Sequence, residues 1–313
     1  MLVLNRADLV GLGLSWAEII DVLEDAFLQK SRGLVQNPPK PKVTSRGDSA
    51  FIHAMPAYLG GSDRIGIKWV AGYEGNHAKG LPYIYGAVIM NDAETGRPIA
   101  LLDGGWITEM RTPGVSGVTM RHVPGDPKHL AIVGCGLQGR RHLEVALEVH
   151  PGLTRVTAYD YVDGVAQKLL DNAGDRATRV ADSPTDAVEG ADLVITTITV
   201  PLEPKIDCAN TDPNALLLPV DYADAMAQAA FDGAVIYSVD DPGQYNSVID
   251  MYFSGRPKPT TDLASVVSGK VEVPTTGRRM FLNMGIAMDD IALSSLVLER
   301  AAAAGVGRYI EFP

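Results

Sequence analysis

The sequence has little of what marks several large classes of proteins. It contains two cysteines, Cys135 and Cys208, in 313 residues, too few for a disulfide framework or a cysteine-based metal cluster. Its 27 lysines and arginines against 38 acidic residues argue against nucleic acid or an anionic membrane as a partner. The first residues lack the composition of a signal peptide, and no apolar run reaches transmembrane length. We therefore expect a cytoplasmic protein with a small-molecule partner and no metal ion.

The most informative segment is a glycine-rich turn between a predicted strand and a predicted helix. Residues 130–133 form an apolar run long enough for a buried parallel strand. Gly134, Gly136 and Gly139 follow at G-x-G-x-x-G spacing, and a helical pattern comes after them. This order predicts a dinucleotide site, because the glycines permit a tight turn, close approach of the pyrophosphate and close packing of the helix. The alternative is a structural turn that binds no nucleotide.

Asp160 supports the dinucleotide interpretation. It ends the next predicted strand, at residues 156–159, where an acid accepts hydrogen bonds from the adenosine ribose hydroxyls and repels a 2′-phosphate. Tyr161, Val162 and Asp163 follow it, so no arginine is at hand to hold such a phosphate. The sequence therefore predicts NAD rather than NADP as the cofactor.

Apolar patterns divide the chain into two parts, as its length allows. Residues 1–122 combine a helix, whose capping box begins at Ser15, with strands separated by turns, which predicts an α+β domain with an antiparallel sheet. Residues 123–280 alternate short apolar strands with helices, which predicts a doubly wound parallel sheet of the Rossmann type. A final helix within about 281–313 is expected to pack on the first domain. The predicted fold class is therefore α/β, with an NAD-binding domain and a domain for substrate binding and dimerisation.

Eight short motifs occur in a fixed order along nearly the whole chain. They are Met55-Pro-Ala-Tyr-Leu, Gly66-Ile-Lys-Trp-Val, Lys79-Gly-Leu-Pro, Asn91-Asp-Ala-Glu-Thr-Gly-Arg-Pro, Leu102-Asp-Gly, Thr108-Glu-Met-Arg-Thr-Pro-Gly-Val-Ser, Gly134-Cys-Gly-Leu-Gln and Gly285-Ile-Ala-Met-Asp-Asp. In this order they resemble the ornithine cyclodeaminase/mu-crystallin family. The resemblance implies a homodimer and NAD(P)H-linked hydride transfer at the α-carbon of an amino acid or its imine.

The resemblance leaves the net reaction open. Amino-acid dehydrogenases and imine reductases of the family carry out the redox step alone, whereas ornithine cyclodeaminases convert L-ornithine to L-proline and ammonia. A third alternative, from another class, is a crystallin-like protein that binds cofactor and ligand without turnover. We expect an NAD(H)-dependent amino-acid dehydrogenase or imine reductase, because cations and an acid stand at the family's catalytic positions.

Lys68 and Arg111 are the candidates for holding the substrate carboxylate. The planar fork of Arg111 suits bidentate binding. Lys68 lies at the family's second carboxylate-binding and catalytic position, in a predicted strand, where burial would require an anionic partner or loss of its proton. The alternatives are a solvent-exposed edge-strand lysine for Lys68 and a structural ion pair for Arg111.

The resemblance also implies roles for Lys42 and Asp221. The family's third cation for the substrate carboxylate is an arginine after a proline just before the Met-Pro strand. Here Lys42 follows Pro41 and would hold the carboxylate less specifically than an arginine; Arg46 is the competing residue. Asp221 stands at the position of the family's catalytic acid, which interacts with the substrate amine or water. A carboxylate at this position can act as general base or stabilise an iminium. The alternative for Asp221 is a loop acid without a role.

His53 and Tyr83 argue against L-ornithine as the preferred substrate. Cyclodeaminases have an acid at the position of His53 to hold the distal ammonium, and a small hydroxyl residue at the position of Tyr83. Histidine supplies no negative charge at neutral pH, and an unpaired buried ammonium is costly. A strand histidine with a structural hydrogen bond is the alternative for His53.

The remaining cofactor-binding candidates are implied by their places in the family's motifs or beside the glycine turn. They are Thr112, Leu137, Gln138, Thr197 and Thr199.

Overall fold

A computed structural model describes residues 1–45, 50–222 and 224–312. The chain forms two compact units, the first made of Met1–Arg111 with Gly285–Pro313 and the second of Thr112–Met284. The sequence predicts the first boundary after residue 122, later than in the structure, and the second after residue 280, earlier than in the structure. The first difference arises because one helix, Gly104–His122, continues through the division without a break.

The first part of unit one begins with helices and then builds a sheet. Its elements in chain order are β1 (Leu2–Leu4), α1 (Arg6–Gly11), α2 (Trp16–Ser31), β2 (Val35–Gln36), β3 (Lys42–Thr44), β4 (Ala50–Leu59), β5 (Arg64–Tyr73), a 3-10 helix (Glu74–Lys79), β6 (Ile84–Asn91), β7 (Pro98–Asp103) and α3 (Gly104–His122). The predicted capping box starts α2: Ser15 accepts the Glu18 N–H, and the Glu18 carboxylate accepts the Ser15 N–H.

Unit two alternates strands and helices after the end of α3. Its elements are β8 (His129–Val133), α4 (Leu137–Val149), β9 (Arg155–Tyr159), α5 (Val165–Leu170), β10 (Ala177–Val180), α6 (Pro184–Ala187), β11 (Leu193–Thr196), β12 (Leu216–Pro219), α7 (Gln228–Asp232), β13 (Ala234–Val239), α8 (Pro242–Tyr252), β14 (Thr261–Asp262), α9 (Leu263–Val267) and β15 (Arg278–Leu282). All strand pairs of its sheet are parallel, in the order β10-β9-β8-β11-β12-β15-β13-β14. The predicted α/β class and parallel sheet are confirmed.

The chain returns to unit one with α10 (Ala287–Ala304) and β16 (Arg308–Tyr309). The sheet of this unit has the order β16-β1-β7-β6-β5-β4-β2, with β3 also paired to β4. Its pairs are antiparallel except β1 with β7. Helix α10 packs on β4, β5 and α2.

Strand register determines which side chains share a face of this sheet. Lys68 lies opposite Met55 on β4 and Val88 on β6, so it faces the side covered by α10. Trp69, Tyr85 and Ile89 point to the other side and are 49%, 49% and 37% exposed. One face of the sheet is thus core, and the other is an apolar surface. No helix in the described ranges is long and apolar enough to cross a membrane.

Candidate active site

The glycine turn lies at the carboxyl end of β8, and each glycine has a separate steric reason. Gly134 has φ +92°, and a Cβ there would lie 2.8 Å from the carbonyl carbon of Thr197. A Cβ on Gly139 would collide with the carbonyl oxygen of Gly134. Gly136 precedes α4 and faces open space, with nothing within 4 Å of its Cβ position. The first and third glycines therefore close the turn, and the second leaves room for a ligand.

This turn has the properties that a dinucleotide requires. Gly136 has no side chain to cap α4, so the first N–H groups of a 13-residue helix face the space beside it. Gln138 lies in the first turn, and its buried Oε1 has no hydrogen-bond partner among the described residues. The strand order reverses direction at β8, which is where doubly wound sheets bind ligands. The residues present fit NAD.

Asp160 follows β9 and contacts the glycine turn directly. One carboxylate oxygen accepts the Cys135 N–H at 2.7 Å, and the other accepts the Val162 N–H at 2.9 Å. A carboxylate has about four acceptor sites, so these two bonds leave capacity for ribose hydroxyls. Asp160 therefore combines a structural role in the turn with the chemistry expected of a ribose-binding acid.

Asp221 follows β12, at the same edge of the parallel sheet. It is 8% exposed. Its carboxylate accepts the Thr196 hydroxyl and the Ile198 N–H, both at 3.1 Å. Burial raises the pKa of Asp221 to about 7, although both hydrogen bonds oppose the shift. A carboxyl group with this pKa can donate or accept a proton near neutral pH, which is the property a general acid or base needs.

The other cofactor candidates occupy different places in unit two. The Thr197 hydroxyl donates to the carbonyl of Gly134 at 2.7 Å, which ties β11 to the glycine turn. Leu137 is the first residue of α4 and is 45% exposed, and Thr199 is exposed beyond β11. Thr112 is buried within α3.

Lys68 is buried inside unit one, on the core face of β5. It is 1% exposed, and its ammonium donates to Asp290 at 2.6 Å; Asp290 is fully buried. Burial lowers the pKa of Lys68 to about 7, with Asp290 opposing the shift and Arg111 adding to it. β5 is an interior strand, so the alternative of a solvent-exposed edge lysine is wrong for Lys68.

Arg111 lies beside the same buried carboxylate, that of Asp290. Its Nε lies 3.3 Å from Asp290 and its Nη1 lies 3.9 Å from Asp289. A Cβ on Gly285, where φ is +74°, would collide with the Arg111 guanidinium. Arg111 thus makes the structural ion pairs that the sequence leaves as an alternative, while two carboxylates and a glycine fix its direction beside Lys68.

Lys42 and His53 face each other across β3 and β4 in the antiparallel register. His53 is half-buried, and its Nδ1 lies 3.1 Å from the carbonyl oxygen of Pro41. Burial, followed by the charge of Lys40, lowers the pKa of His53 to about 4. Lys40 itself donates to the carbonyl of Gly285 at 3.0 Å. His53 therefore has the structural hydrogen bond that the sequence allows, in surroundings that are cationic.

Tyr83 precedes β6 and is half-buried; its carbonyl accepts the Tyr73 N–H at 3.0 Å. Arg46, the competitor of Lys42, lies outside the described residues. The described side chains contain no group of three or more His, Cys, Asp or Glu that could hold a metal.

Sequence reasoning missed Lys40, Asp289 and Asp290. The two acids stand in the Gly285-Ile-Ala-Met-Asp-Asp motif and were expected only as the start of a helix. Two adjacent acids at the start of a helix whose next turns are largely apolar are a signal that could have identified them, because buried carboxylates need cationic partners.

Comparison with known proteins agrees with this geometry. The model of the ornithine cyclodeaminase/mu-crystallin family matches residues 2–305. The chain is 29% identical to the nodulation efficiency protein NfeD of Rhizobium meliloti, over 99% of its own length and 98% of the relative's. It is 27% identical to the alanine dehydrogenase of Archaeoglobus fulgidus, over 99% and 98% of the two lengths.

A solved structure extends the similarity to the fold. The chain matches the Δ1-pyrroline-2-carboxylate reductase of Thermococcus litoralis, in complex with NADH and L-proline, with a TM-score of 0.91. The two are 27% identical, and the match covers 99% of this chain and 100% of the other.

Proposed function

Because the chain belongs to the ornithine cyclodeaminase/mu-crystallin family, we propose that it catalyses NAD(H)-dependent hydride transfer at the α-carbon of an L-amino acid or its imine. The observation that carries this proposal is the buried arrangement of Lys68 and Arg111 on Asp290. Two directed cations suit an α-carboxylate. Among the relatives, an alanine dehydrogenase and a reductase bound to NADH and L-proline support the same chemistry.

The reaction balances with one hydride and one proton. Bound NADH supplies a hydride, and NAD⁺ accepts one in the reverse direction. In reduction the imine carbon gains the hydride and the nitrogen takes a proton, so imine, NADH and H⁺ give amino acid and NAD⁺. Gly134, Gly136 and Gly139 would cradle the pyrophosphate, and Asp160 would accept the ribose hydroxyls.

Lys68 and Arg111 would bind and orient the substrate carboxylate. Asp290 uses one of the three donors of the Lys68 ammonium, which leaves two for a ligand. The contacts of Arg111 with Asp289 and Asp290 keep its guanidinium from rotating away. This preorganisation lowers the entropy that substrate binding would otherwise lose.

Asp221 would hold and move the proton at the substrate nitrogen. With a pKa of about 7, it is protonated in a large fraction of molecules at neutral pH and can donate to the nitrogen during reduction. The same carboxylate accepts a proton from the amine during oxidation. A protein that only binds ligands has no need for such an acid, which argues against the crystallin-like alternative.

A substrate panel tests the proposed function. Amino acids are supplied with NAD⁺, and 2-oxo acids with NADH and ammonium or cyclic imines with NADH, while absorbance at the nicotinamide band is followed. We expect amino acids to be oxidised and imines to be reduced. Little proline or ammonia should form from L-ornithine, because His53 stands where cyclodeaminases have the acid that holds the distal ammonium. Efficient conversion of L-ornithine would favour the cyclodeaminase reaction, and binding of NADH without any turnover would favour the crystallin-like protein.

Asp160→Asn is expected to weaken discrimination against NADP(H). The asparagine oxygen can still accept the Cys135 N–H, but the charge that repels a 2′-phosphate is gone. The ratio of kcat/KM for NADH to kcat/KM for NADPH should fall about tenfold or more, because a single nearby charge usually has an effect of this size. Asp163→Asn, an exposed neighbour, is the matched control and should leave the ratio unchanged. A wild-type protein that prefers NADPH would contradict the role of Asp160.

The apolar face of the unit-one sheet supports a homodimer. Trp69, Tyr85 and Ile89 together expose an aromatic and aliphatic surface of the kind that marks interfaces. Sedimentation should give twice the chain mass of 33.4 kDa, and Trp69→Asp should shift the protein toward monomer at micromolar concentration. Val10→Asp places the same charge on an exposed residue of α1 and should leave the mass unchanged. A wild-type monomer at that concentration would contradict the dimer.

Location in the cytoplasm stays a prediction.

A further inference from the structure

Tyr222 directly follows the candidate acid Asp221 and has an unusual backbone conformation. Its φ is +62°, in the left-handed region, where a bulky side chain is a genuine outlier. The carbonyl of Asp221 accepts the Asp224 N–H at 3.2 Å, so the chain turns sharply shortly after β12, and Tyr222 is the second residue of this turn. Turns with a positive φ at that position usually have glycine, asparagine or aspartate there. A tyrosine therefore needs stabilisation from the contacts of its side chain.

The ring of Tyr222 makes such contacts with aromatic residues at the end of α8. Its centroid lies 5.0 Å from that of Tyr252 and 6.0 Å from that of Phe253, and the planes of the second pair are only 20° apart. Phe253 is fully buried and packs in turn on Tyr245, at 4.8 Å, in the core of unit two. Aromatic pairs at these separations attract each other beyond the effect of area burial. The ring of Tyr222 therefore anchors the strained backbone of the turn to the core.

The same turn determines the surroundings of the Asp221 carboxyl group. On one side the buried carboxylate accepts the Thr196 hydroxyl and the Ile198 N–H, at the end of β11. The N–H of Ala225, beyond the turn, also hydrogen-bonds the carboxylate, and the charge of Asp224 raises its pKa. The carboxyl group is thus held between the uncharged donors after β11 and the turn that contains Tyr222. A change in the turn would change its burial.

We propose that Tyr222 is a positioning residue: its packing on Tyr252 and Phe253 holds the left-handed turn that keeps the Asp221 carboxyl group buried against the end of β11. Tyr222 acts through Asp221 and not on the substrate, and the inference rests on the proposed function only for the proton transfer assigned to Asp221. When the ring is removed, the turn should relax and admit water to the carboxyl group. The pKa of Asp221 should then fall from about 7 toward the ordinary value of an aspartate.

Tyr222→Ala tests this effect through the pH dependence of turnover. In oxidation Asp221 has to be ionised, so the rising limb of kcat/KM should move to lower pH, by about one unit or more. In reduction Asp221 has to be protonated. A shift of one unit should therefore lower the reductive rate about fivefold at pH 7, because the protonated fraction falls from about one half to about one tenth. Near pH 5 this difference should disappear, since the carboxyl group is then protonated in both proteins.

Matched variants separate the ring from other effects of the substitution. Tyr222→Phe keeps the ring and should keep the wild-type profile. Tyr252→Ala removes one partner ring without touching the turn and should move the rising limb in the same direction by a smaller amount. Tyr309→Ala makes the same change as Tyr222→Ala on a residue that is 77% exposed, in unit one, and should leave the profile unchanged.

Tyr222→Gly guards against loss of folding. It removes the ring together with the steric strain at φ +62°, so it should fold even where Tyr222→Ala does not, and it should show the same shift of the rising limb. If Tyr222→Ala and Tyr222→Gly lose equal activity at every pH and the rising limb does not move, Tyr222 contributes only to the stability of the fold, and the proposal is overturned.

A titration without turnover separates failure of this inference from failure of the proposed function. Carbon NMR of the protein labelled at its aspartate carboxyl groups follows Asp221, whose resonance is the one missing in Asp221→Asn. We expect it to titrate near pH 7 in wild type and Tyr222→Phe, and at least one unit lower in Tyr222→Ala and Tyr222→Gly. A lowered pKa in a protein without dehydrogenase or reductase activity would support the positioning role and contradict the proposed function. An unchanged pKa in an active enzyme would refute the positioning role alone.

Discussion

Arg111→Ala is expected to lower kcat/KM by about a hundredfold or more, which corresponds to roughly 2.7 kcal/mol of lost transition-state stabilisation. The buried guanidinium would make charge-assisted hydrogen bonds to the substrate carboxylate, and loss of such a bond typically costs about 1.5–3 kcal/mol. Steady-state kinetics on the best substrate of the panel measure the change. The affinity for NADH should change less than threefold, because the predicted cofactor residues belong to unit two.

Arg111 also neutralises Asp289 and Asp290, so its removal leaves two buried carboxylates with less cationic compensation. The thermal midpoint of each variant therefore has to be measured beside its kinetics. Arg111→Lys keeps the charge and loses the planar fork, and it should lose activity about tenfold while the folded structure is retained. Gly285→Ala would displace the guanidinium without removing it and should reproduce part of the loss. Near-native turnover by Arg111→Ala would remove Arg111 from the substrate site.

The parallel sheet could be predicted from the sequence where strands are short, apolar and followed by diagnostic residues. The glycine turn after β8 and Asp160 after β9 are local patterns, so neighbouring residues alone reveal them. β15 was not predicted, although it lies between β12 and β13 in the sheet. It has five residues and begins with Arg278 and Arg279, and its burial depends on partners distant in sequence.

The substrate residues show the same limit. Lys68 and Arg111 could be named from the family motifs, but their common partner Asp290 is contributed by α10, 222 residues beyond Lys68. From the sequence alone, a charged residue in a helix is predicted to be solvent-exposed, because the packing of that helix is not known. Lys40 was missed because its role depends on the bend of the chain that brings it to Gly285.

Asp221→Asn is expected to lower kcat about 10²- to 10⁴-fold, the usual contribution of a positioned general acid or base. The pH profile carries further information, because the pKa values of Asp221 and Lys68 are both about 7. In reduction, protonated Asp221 donates and protonated Lys68 binds the carboxylate, so both effects decrease as pH rises through 7. In oxidation, Asp221 has to be ionised, so its contribution increases with pH while that of Lys68 decreases. The oxidative kcat/KM should therefore be bell-shaped, with apparent pKa values that belong to the two groups together.

Asp221→Asn should abolish the rising limb of the oxidative profile and keep the falling limb, since Lys68 is unchanged. Thr196→Val is the matched control: it removes a hydrogen bond that lowers the pKa of Asp221, so it should keep most of the activity and move the rising limb to higher pH. If Asp221 had only a structural role, both variants should lose similar amounts of activity, and the pH profile of their remaining activity should be unaltered. Retention of the rising limb in Asp221→Asn would assign proton transfer at the nitrogen to another group.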